Sequence, residues 1–342
     1  MGNVVAVTIK QVAREAGVSI ATVSRVLTGN GPVLATTRAR ILEVAARLRY
    51  VPHEGARGLA TQRTHAIGVL LPDIHSEFFS ELIRGLDQNA TARGYHLLVS
   101  GSHGAVDSLE VLLRTMRGRV DGLIVMAPDL DRSVLREVIP DAVPLVTLAS
   151  PAEPGVDSIE VDDRGGAEAM VRHLHQVGHR RIAFLSGPRG KRCARARLRG
   201  FQETMAALPG TASQILEGDF GVESGRRAAE KLLSSRRRPD AVFAANDAMA
   251  LGLLSGLRER GLAVPGEVAL AGFDDVPLAR FLSPPLTTVR VPMQRMAALA
   301  VERVFDRLDG KAVRTRRHRT IRTEIVIRGS CGASHQAAAQ AP

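Results

Sequence analysis

TIKQVAREAGVSIATVSRVL, Thr8–Leu27, contains two short helical patterns hinged at Gly17. In the first, Ile9, Val12, Ala13 and Ala16 stand at i, i+3, i+4 and i+7, which puts four apolar side chains on one helical face. Thr8 precedes it and Gln11 follows three positions later, the spacing of a capping box. In the second, Ser19 is placed to cap, and Val23, Val26 and Leu27 turn inward at i, i+3 and i+4. Two helices joined by a tight glycine-containing turn, the second rich in small polar residues, make a helix-turn-helix pattern.

At about 100° per residue, Ala21 and Arg25 share the outward face of the second helix, with Thr22 and Ser24 at its flanks. Arg25 is the expected base reader, because its planar fork matches the O6 and N7 acceptors of guanine in the major groove; the alternative is a solvated surface arginine. The hydroxyls of Thr8, Ser19, Thr22 and Ser24 suit phosphates, so they are expected to position the helix on DNA rather than read sequence. Ile20 lies close to the buried stripe, which leaves core packing and base contact both open to it.

The chain has 342 residues, 45% of them hydrophobic, enough for a small domain and a larger bipartite domain. Net charge is +11, and residues 1–63 hold nine Lys or Arg against three Glu, a net +6. The excess sits where the helix-turn-helix lies and points to a polyanionic partner. A second basic cluster, Lys311–Arg322, reads as a solvated loop. Cys193 and Cys331 are far apart and in no C-x-x-C pattern, so no disulfide framework, metal site or cofactor is expected and a reducing cytoplasm fits. The start MGNVVAVTIK lacks the pattern of a secretory signal, and no apolar stretch approaches about 18 residues, so a cytoplasmic protein without membrane contact is expected. With no Trp and 3% aromatic residues, a stacking platform for single-stranded nucleic acid is disfavoured.

A third helical pattern, about Thr37–Arg49, places Ile41, Leu42, Ala45 and Leu48 on one face and completes an all-α domain over residues 1–52. Residues 53–64 form a hinge segment, in which Gly55 and Gly58 each cost about 1 kcal/mol relative to Ala when helical. From Ala66 the texture changes to apolar runs, AIGVLLP (66–72), YHLLVS (95–100), GLIVM (122–126) and PLVTL (144–148). Between them lie helical patterns at Leu82–Arg93, Leu109–Arg117 and Ser133–Ile139. Apolar strands joined by helices mean a parallel sheet covered on both faces. The alternation restarts after Asp163 with RIAFLSG (181–187), AVFAAN (241–246) and VALAGFD (268–274). The fold expected is an α/β core, residues 65–330, of two doubly wound parallel-sheet subdomains behind the small helical domain. Subdomain one covers about 65–163 plus 291–318, subdomain two about 164–290 plus 319–330, with TIRTEIVIRG (320–329) read as one strand. Residues 331–342, rich in Ala and Gln, read as a disordered tail.

These residues together resemble the lac repressor family of bacterial transcription regulators, along nearly the full length from TIKQVAREAGVSIATVSRVL through GHRRIAFLSGP, FAANDAMALG and VALAGFDD to PPLTTV. The resemblance implies a homodimer that grips a near-palindromic double-stranded operator and a core that closes around a small-molecule effector. It implies Ile20, Ala21 and Arg25 as the base-reading set. It also implies Ala56 and Leu59 at the hinge, with Leu59 wedged into the minor groove, where an apolar side chain partly unstacks a base step. His53, Thr28 and Leu34 depart from the family's usual Asn, Asn and helix-capping Ser, so the third helix is expected to start at Thr36 or Thr37.

In open α/β sheets ligands bind beyond the carboxyl ends of the strands, which is where Asp73, Asn246, Asp247, Asp274 and Asp275 fall. The resemblance carries Arg197, Asn246 and Asp274 over as effector-binding residues, Phe220 as an aromatic plate, and Phe78 and Phe79 as the opposite wall. A carboxylate, an amide and an Arg fork around an aromatic face suit a polyol, so a sugar is the leading effector and a purine the second. Asp247 has an equal alternative as a helix cap. The basic run PRGKRCARAR, Pro188–Arg197, raises a sugar phosphate as a further option beside a solvated loop.

Enzyme signatures are lacking, so no catalytic residue is assigned. There is no G-x-S-x-G, and the run from Gly187 to Lys191 is too short for a phosphate loop. His175 and His179 are four apart, but Gly178 breaks the helix between them, which argues against a metal pair. A regulator answering to a protein partner, with no small ligand, is the remaining alternative.

Overall fold

The computed structural model describes residues 7–28, 31–50, 63–102, 106–126, 139, 143–150, 156–235, 237–311 and 318–333. The hinge positions Ala56 and Leu59, most of the helix expected at 133–139, and the tail beyond residue 333 lie outside the described residues. Two compact units emerge, residues 1–65 with 118–121 and the rest of the chain.

In the first unit α1 is Ile9–Ala16, α2 Ile20–Thr28 and α3 Ala35–Arg47. The Gln11 side chain accepts from the Thr8 amide at 2.8 Å, and Ser19 Oγ accepts from the Thr22 amide at 3.1 Å, so both short helices start on the groups the sequence offers. Gly17 turns the chain between them at φ +63°, a left-handed conformation that glycine adopts without a Cβ penalty. Val12, Ala13, Ala16, Val23, Val26, Ile41, Val44 and Ala45 form the small core. Two details differ from expectation. Helix α3 begins at Ala35 with Leu34 as an N-cap that makes no side-chain bond, and Val44 rather than Leu42 fills the core, Leu42 being exposed. Near the unit's end, Asp121 accepts hydrogen bonds from the amide and hydroxyl of Thr64 and from the amide of His65.

The second unit has two six-stranded sheets. Strands β1 (Ala66–Leu71), β2 (His96–Gly101), β3 (Gly122–Val125), β4 (Leu145–Leu148), β5 (Asp157–Val161) and β11 (His318–Ile321) form the first, in the order β2-β1-β3-β4-β5-β11, all parallel. Strands β6 (Arg181–Ser186), β7 (Ala212–Glu217), β8 (Ala241–Ala244), β9 (Ala269–Asp274), β10 (Thr287–Arg290) and β12 (Glu324–Val326) form the second. Its order is β7-β6-β8-β9-β10-β12, with only β12 antiparallel. Helices α4 (Glu77–Thr91), α5 (Val106–Met116), α6 (Asp163–Gln176), α7 (Arg192–Ala207), α8 (Val222–Leu233), α9 (Asp247–Glu259) and α10 (Met293–Leu308) connect the strands. Both strand orders are doubly wound, which fixes where ligands approach.

Strands β5 and β7 are absent from the sequence reading because ASQILE and DSIEV are not apolar runs. In DSIEV, Asp157 and Ser158 are buried and satisfied from α10 and β11: Arg307 donates to Asp157 Oδ2 at 3.0 Å, Arg303 to the Ser158 carbonyl at 3.0 Å, and Ser158 Oγ lies 2.9 Å from His318 Nδ1. The single strand expected at 320–329 is two. Its opening residues, with His318 and Arg319, pair with β5, and after residues 322–323 the chain crosses to pair with β10, so the subdomain boundary falls near 322 rather than 318. The second subdomain also extends past 330. Cys331 is fully buried, and its carbonyl meets His179 Nε2 at 2.9 Å, so residues 331–333 belong to the core and not to the tail.

Candidate functional site

On α2, Ala21 and Arg25 are exposed and Thr22 and Ser24 half-buried, the arrangement read from the helical period. Ile20 is 45% exposed, so it is not a core residue. Ser19 Oγ and Thr22 Oγ1 lie 2.8 Å apart, so the two hydroxyls form one polar edge at the start of the helix. Thr8 caps α1. The face therefore offers one guanidinium between hydroxyls and small apolar groups, a composition suited to a major groove.

At the carboxyl ends of the second sheet, Arg197 on α7 is the centre. Its Nε donates to Asp163 Oδ1 at 2.8 Å, and its Nη1 donates to the Ala245 carbonyl at 2.6 Å and to Asp274 Oδ1 at 3.3 Å. The guanidinium lies over the Phe273 ring, 3.7 Å from its centroid, and the side chains of Arg197 and Asp274 are each only 8% exposed. Burial pushes the Asp274 carboxyl up to about 7, with Arg197 pulling against it, and burial likewise raises Asp163. Burial lowers the Arg197 value, but Asp163 and Asp274 outweigh that and keep it cationic.

Asp247 is not the cap of α9. Asn246 is, accepting from the Met249 amide at 3.0 Å, while buried Asp247 takes the Thr288 hydroxyl at 2.5 Å and the Val276 amide at 3.0 Å. Burial, with Asp274 nearby as a like charge, drives its carboxyl well above the usual range. Asp275 accepts from Arg290 at 2.7 Å and from Arg328 at 2.6 Å. Asp274 and Asp275 have φ of +120° and +58°, and Phe220 has +70°, so three non-glycine residues at these strand ends hold conformations that persist only where the surroundings enforce them. A Cβ at Gly187 would fall inside the Phe220 ring, and Asn246 Nδ2 donates to the Phe220 carbonyl at 2.9 Å, which together fix the plate.

Arg197, Asp274, Asn246 and Phe220 are thus brought together, Ala245 and Asn246 being sequence neighbours. Asp73, Phe78 and Phe79 sit in the first subdomain. Asp73 accepts from the His75 amide at 2.9 Å, and the two rings meet edge to face at 5.3 Å. Among the described residues no hydrogen bond or ring contact joins these three to the second-subdomain set. Asp163 is the residue that the sequence reading missed. It follows β5, whose polar sequence hid the strand and with it the strand-end position.

The network also touches the segments that link the subdomains. Asp163 opens α6 straight after the β5 crossover. The Asp274 carbonyl accepts from the Val291 amide at 3.1 Å in the crossover to α10. Asp162 donates its amide to the Ile321 carbonyl at 3.0 Å, and its own carbonyl accepts from the Thr323 hydroxyl at 3.4 Å, tying the β5–α6 and β11–β12 crossovers together.

No helix among the described residues is long and apolar enough to cross a membrane. Residues 8–53 match the family described as bacterial regulatory proteins, lacI family, and residues 171–331 a periplasmic binding protein-like domain. Catabolite control protein A of Priestia megaterium is 40% identical over 300 residues, 86% of this chain and 90% of that protein. The HTH-type transcriptional repressor PurR of Photobacterium profundum is 35% identical over 328 residues, 94% of this chain and 98% of that protein. The crystal structure of the lac repressor dimer bound to operator and the anti-inducer ONPF superposes with a TM-score of 0.83 at 30% identity, covering 95% of this chain and 99% of that one.

Proposed function

We propose, from the premise that the chain belongs to the lacI family of bacterial regulatory proteins and is a DNA-binding transcriptional regulator, that it represses a carbohydrate-utilisation operon. In this reading it is a cytoplasmic homodimer on a near-palindromic operator, governed by a small-molecule effector, and it catalyses no reaction. The observation that carries the DNA-binding half is the outward face of α2, with Arg25 between Thr22, Ser24 and Ala21 on a unit of net positive charge. Dimerisation is supported by an apolar surface of the second subdomain. Phe281 is 73% exposed, Val222 and Leu278 are exposed too, and a concavity of about 370 Å³ is lined by Leu251, Leu254 and Leu282 with Ser255, Arg258, Glu259 and Ser283 at its polar side.

The effector half rests on Arg197, Asp274 and Asn246 beside the Phe220 plate. Carboxylate, amide and guanidinium hold vicinal hydroxyls while the ring covers an apolar sugar face. Because Arg197 bridges Asp163 and Asp274, each attached to a different crossover, a ligand that competes for these groups changes the relative energy of open and closed subdomains. The sign of the response follows from which state the ligand binds better. A purine is the second reading, favoured by Phe220, since the same plate and fork hold a flat base. A thermal-shift screen of sugars and purines, followed by gel-shift titration on DNA from beside the protein's own gene, tests both halves. A sugar that raises the melting temperature and alters operator binding supports the proposal; silence across the screen favours a protein partner, and operator binding that no DNA fragment sustains removes the repressor reading.

A further inference from the structure

Positive charge around Arg197 is already neutralised. Two carboxylates and a main-chain carbonyl surround the one guanidinium, whose face lies on Phe273. The cations of the basic loop are turned to other partners. Arg189 pairs with Glu217, Arg192 pairs with Glu160 at 2.8 Å, and Arg195 donates to the carbonyls of Arg189 and Gly190 at 3.0 and 2.7 Å. Helix starts that would attract an anion through their free amides are closed by side chains at two places beside the site: Asp162 Oδ1 accepts from the Gly165 amide at 2.9 Å, and Asn246 caps α9.

We infer that the effector carries no negative charge: it is an uncharged polyhydroxyl or an amino-bearing ligand whose hydrogens Asp274 accepts, and Asp163 is the residue that excludes phosphate and carboxylate groups. The inference rests on the reading of Arg197 and Asp274 as effector ligands. Asp163 acts through Arg197: by neutralising the guanidinium it leaves no net attraction for an anion. An unpaired guanidinium about 6 Å from an anion near a protein interior would favour it by on the order of a hundredfold, and Asp163 cancels that advantage. The basic run at Pro188–Arg197 is then a surface feature and not a phosphate site, although α7 starts at Lys191 without a side-chain cap.

Calorimetry on the full-length protein decides, using glucose, glucosamine, ribose and adenosine beside the phosphate ester of each. The expected result is binding of one uncharged or amino compound tighter than its ester, with Asp163→Asn narrowing that ratio by about tenfold or more as Arg197 regains unpaired charge. An ester that binds as tightly as its parent overturns the inference while leaving the effector reading intact, all the more if Lys191→Ala abolishes it. An unchanged ratio in a folded Asp163→Asn protein removes the role given to that residue. Silence of every compound overturns the effector reading and the inference with it.

Discussion

Replacing Arg197 with Met keeps an unbranched side chain over Phe273 but leaves Asp163 and Asp274 without their cation. Removing one partner of a buried ion pair typically costs about 3–5 kcal/mol, because the remaining charge is uncompensated. In a subdomain of this size that is roughly 6–20 °C in melting temperature. The loss depends on pH in a direction the site dictates. Burial already holds Asp274 at about 7 with Arg197 pulling it down, so without the guanidinium both carboxyls rise further. At about pH 5 Asp274 is protonated in both proteins and the variant loses little, whereas above about pH 7, where the wild-type carboxyl ionises, each unit of pH adds up to about 1.4 kcal/mol of deficit per carboxyl until its raised value is passed. Urea denaturation of wild type and variant at about pH 5 and pH 8 reads this directly, with the larger deficit expected at the higher pH. A deficit that is equal at both pH values, or below about 1 kcal/mol at the higher one, would refute the claim that the network is buried and charge-compensated.

In the wild type, Asp247 and Asp274 titrate higher when folded than when unfolded, so their contribution is complete below the unfolded value of 3.8 and is lost as pH rises, through about 7 for Asp274. The shift at Asp274 corresponds to at most about 4 kcal/mol, and Asp247→Asn is expected to flatten the pH dependence of core stability measured by denaturant titration. Gly252→Ala is expected to destabilise by more than about 3 kcal/mol, because a Cβ there would fall on the Val222 carbonyl where α8 and α9 meet backbone to backbone; circular dichroism melts of the two proteins check it. Arg25→Ala should weaken operator binding by about 1–3 kcal/mol in gel shifts while leaving melting of the helical unit unchanged. Leu59→Ala, proposed from the family resemblance alone, should weaken operator binding with effector affinity intact, and undiminished operator affinity removes the wedge role.

Local patterns announced what local physics controls. Helix α2 was legible because a period of 3.6 residues, a Ser cap and a glycine turn act within a few residues of each other, and the side chains then distribute as the period requires. The strands β1, β3, β6, β8 and β9 were legible because a strand buried on both faces must be apolar throughout. Strand β5 was not, since its acid and hydroxyl are satisfied by Arg303, Arg307 and His318, about 145 to 160 residues further along the chain. The crossover from β11 to β12 went unread for a similar reason: TIRTEIVIRG continues as one extended pattern, and only the positions of two sheets decide that it is shared between them.

The sequence by itself therefore determined the class of the protein, the outward face of α2 and the strand ends where polar groups gather, because periodicity, capping and burial are short-range. Tertiary structure alone decided that Ile20 is exposed, that Asn246 and not Asp247 caps α9, and that Asp163 joins Arg197 and Asp274 in one buried network. The charge of that network is a sum over residues from α6, α7 and β9, and that sum exists only after the chain has folded them onto one another.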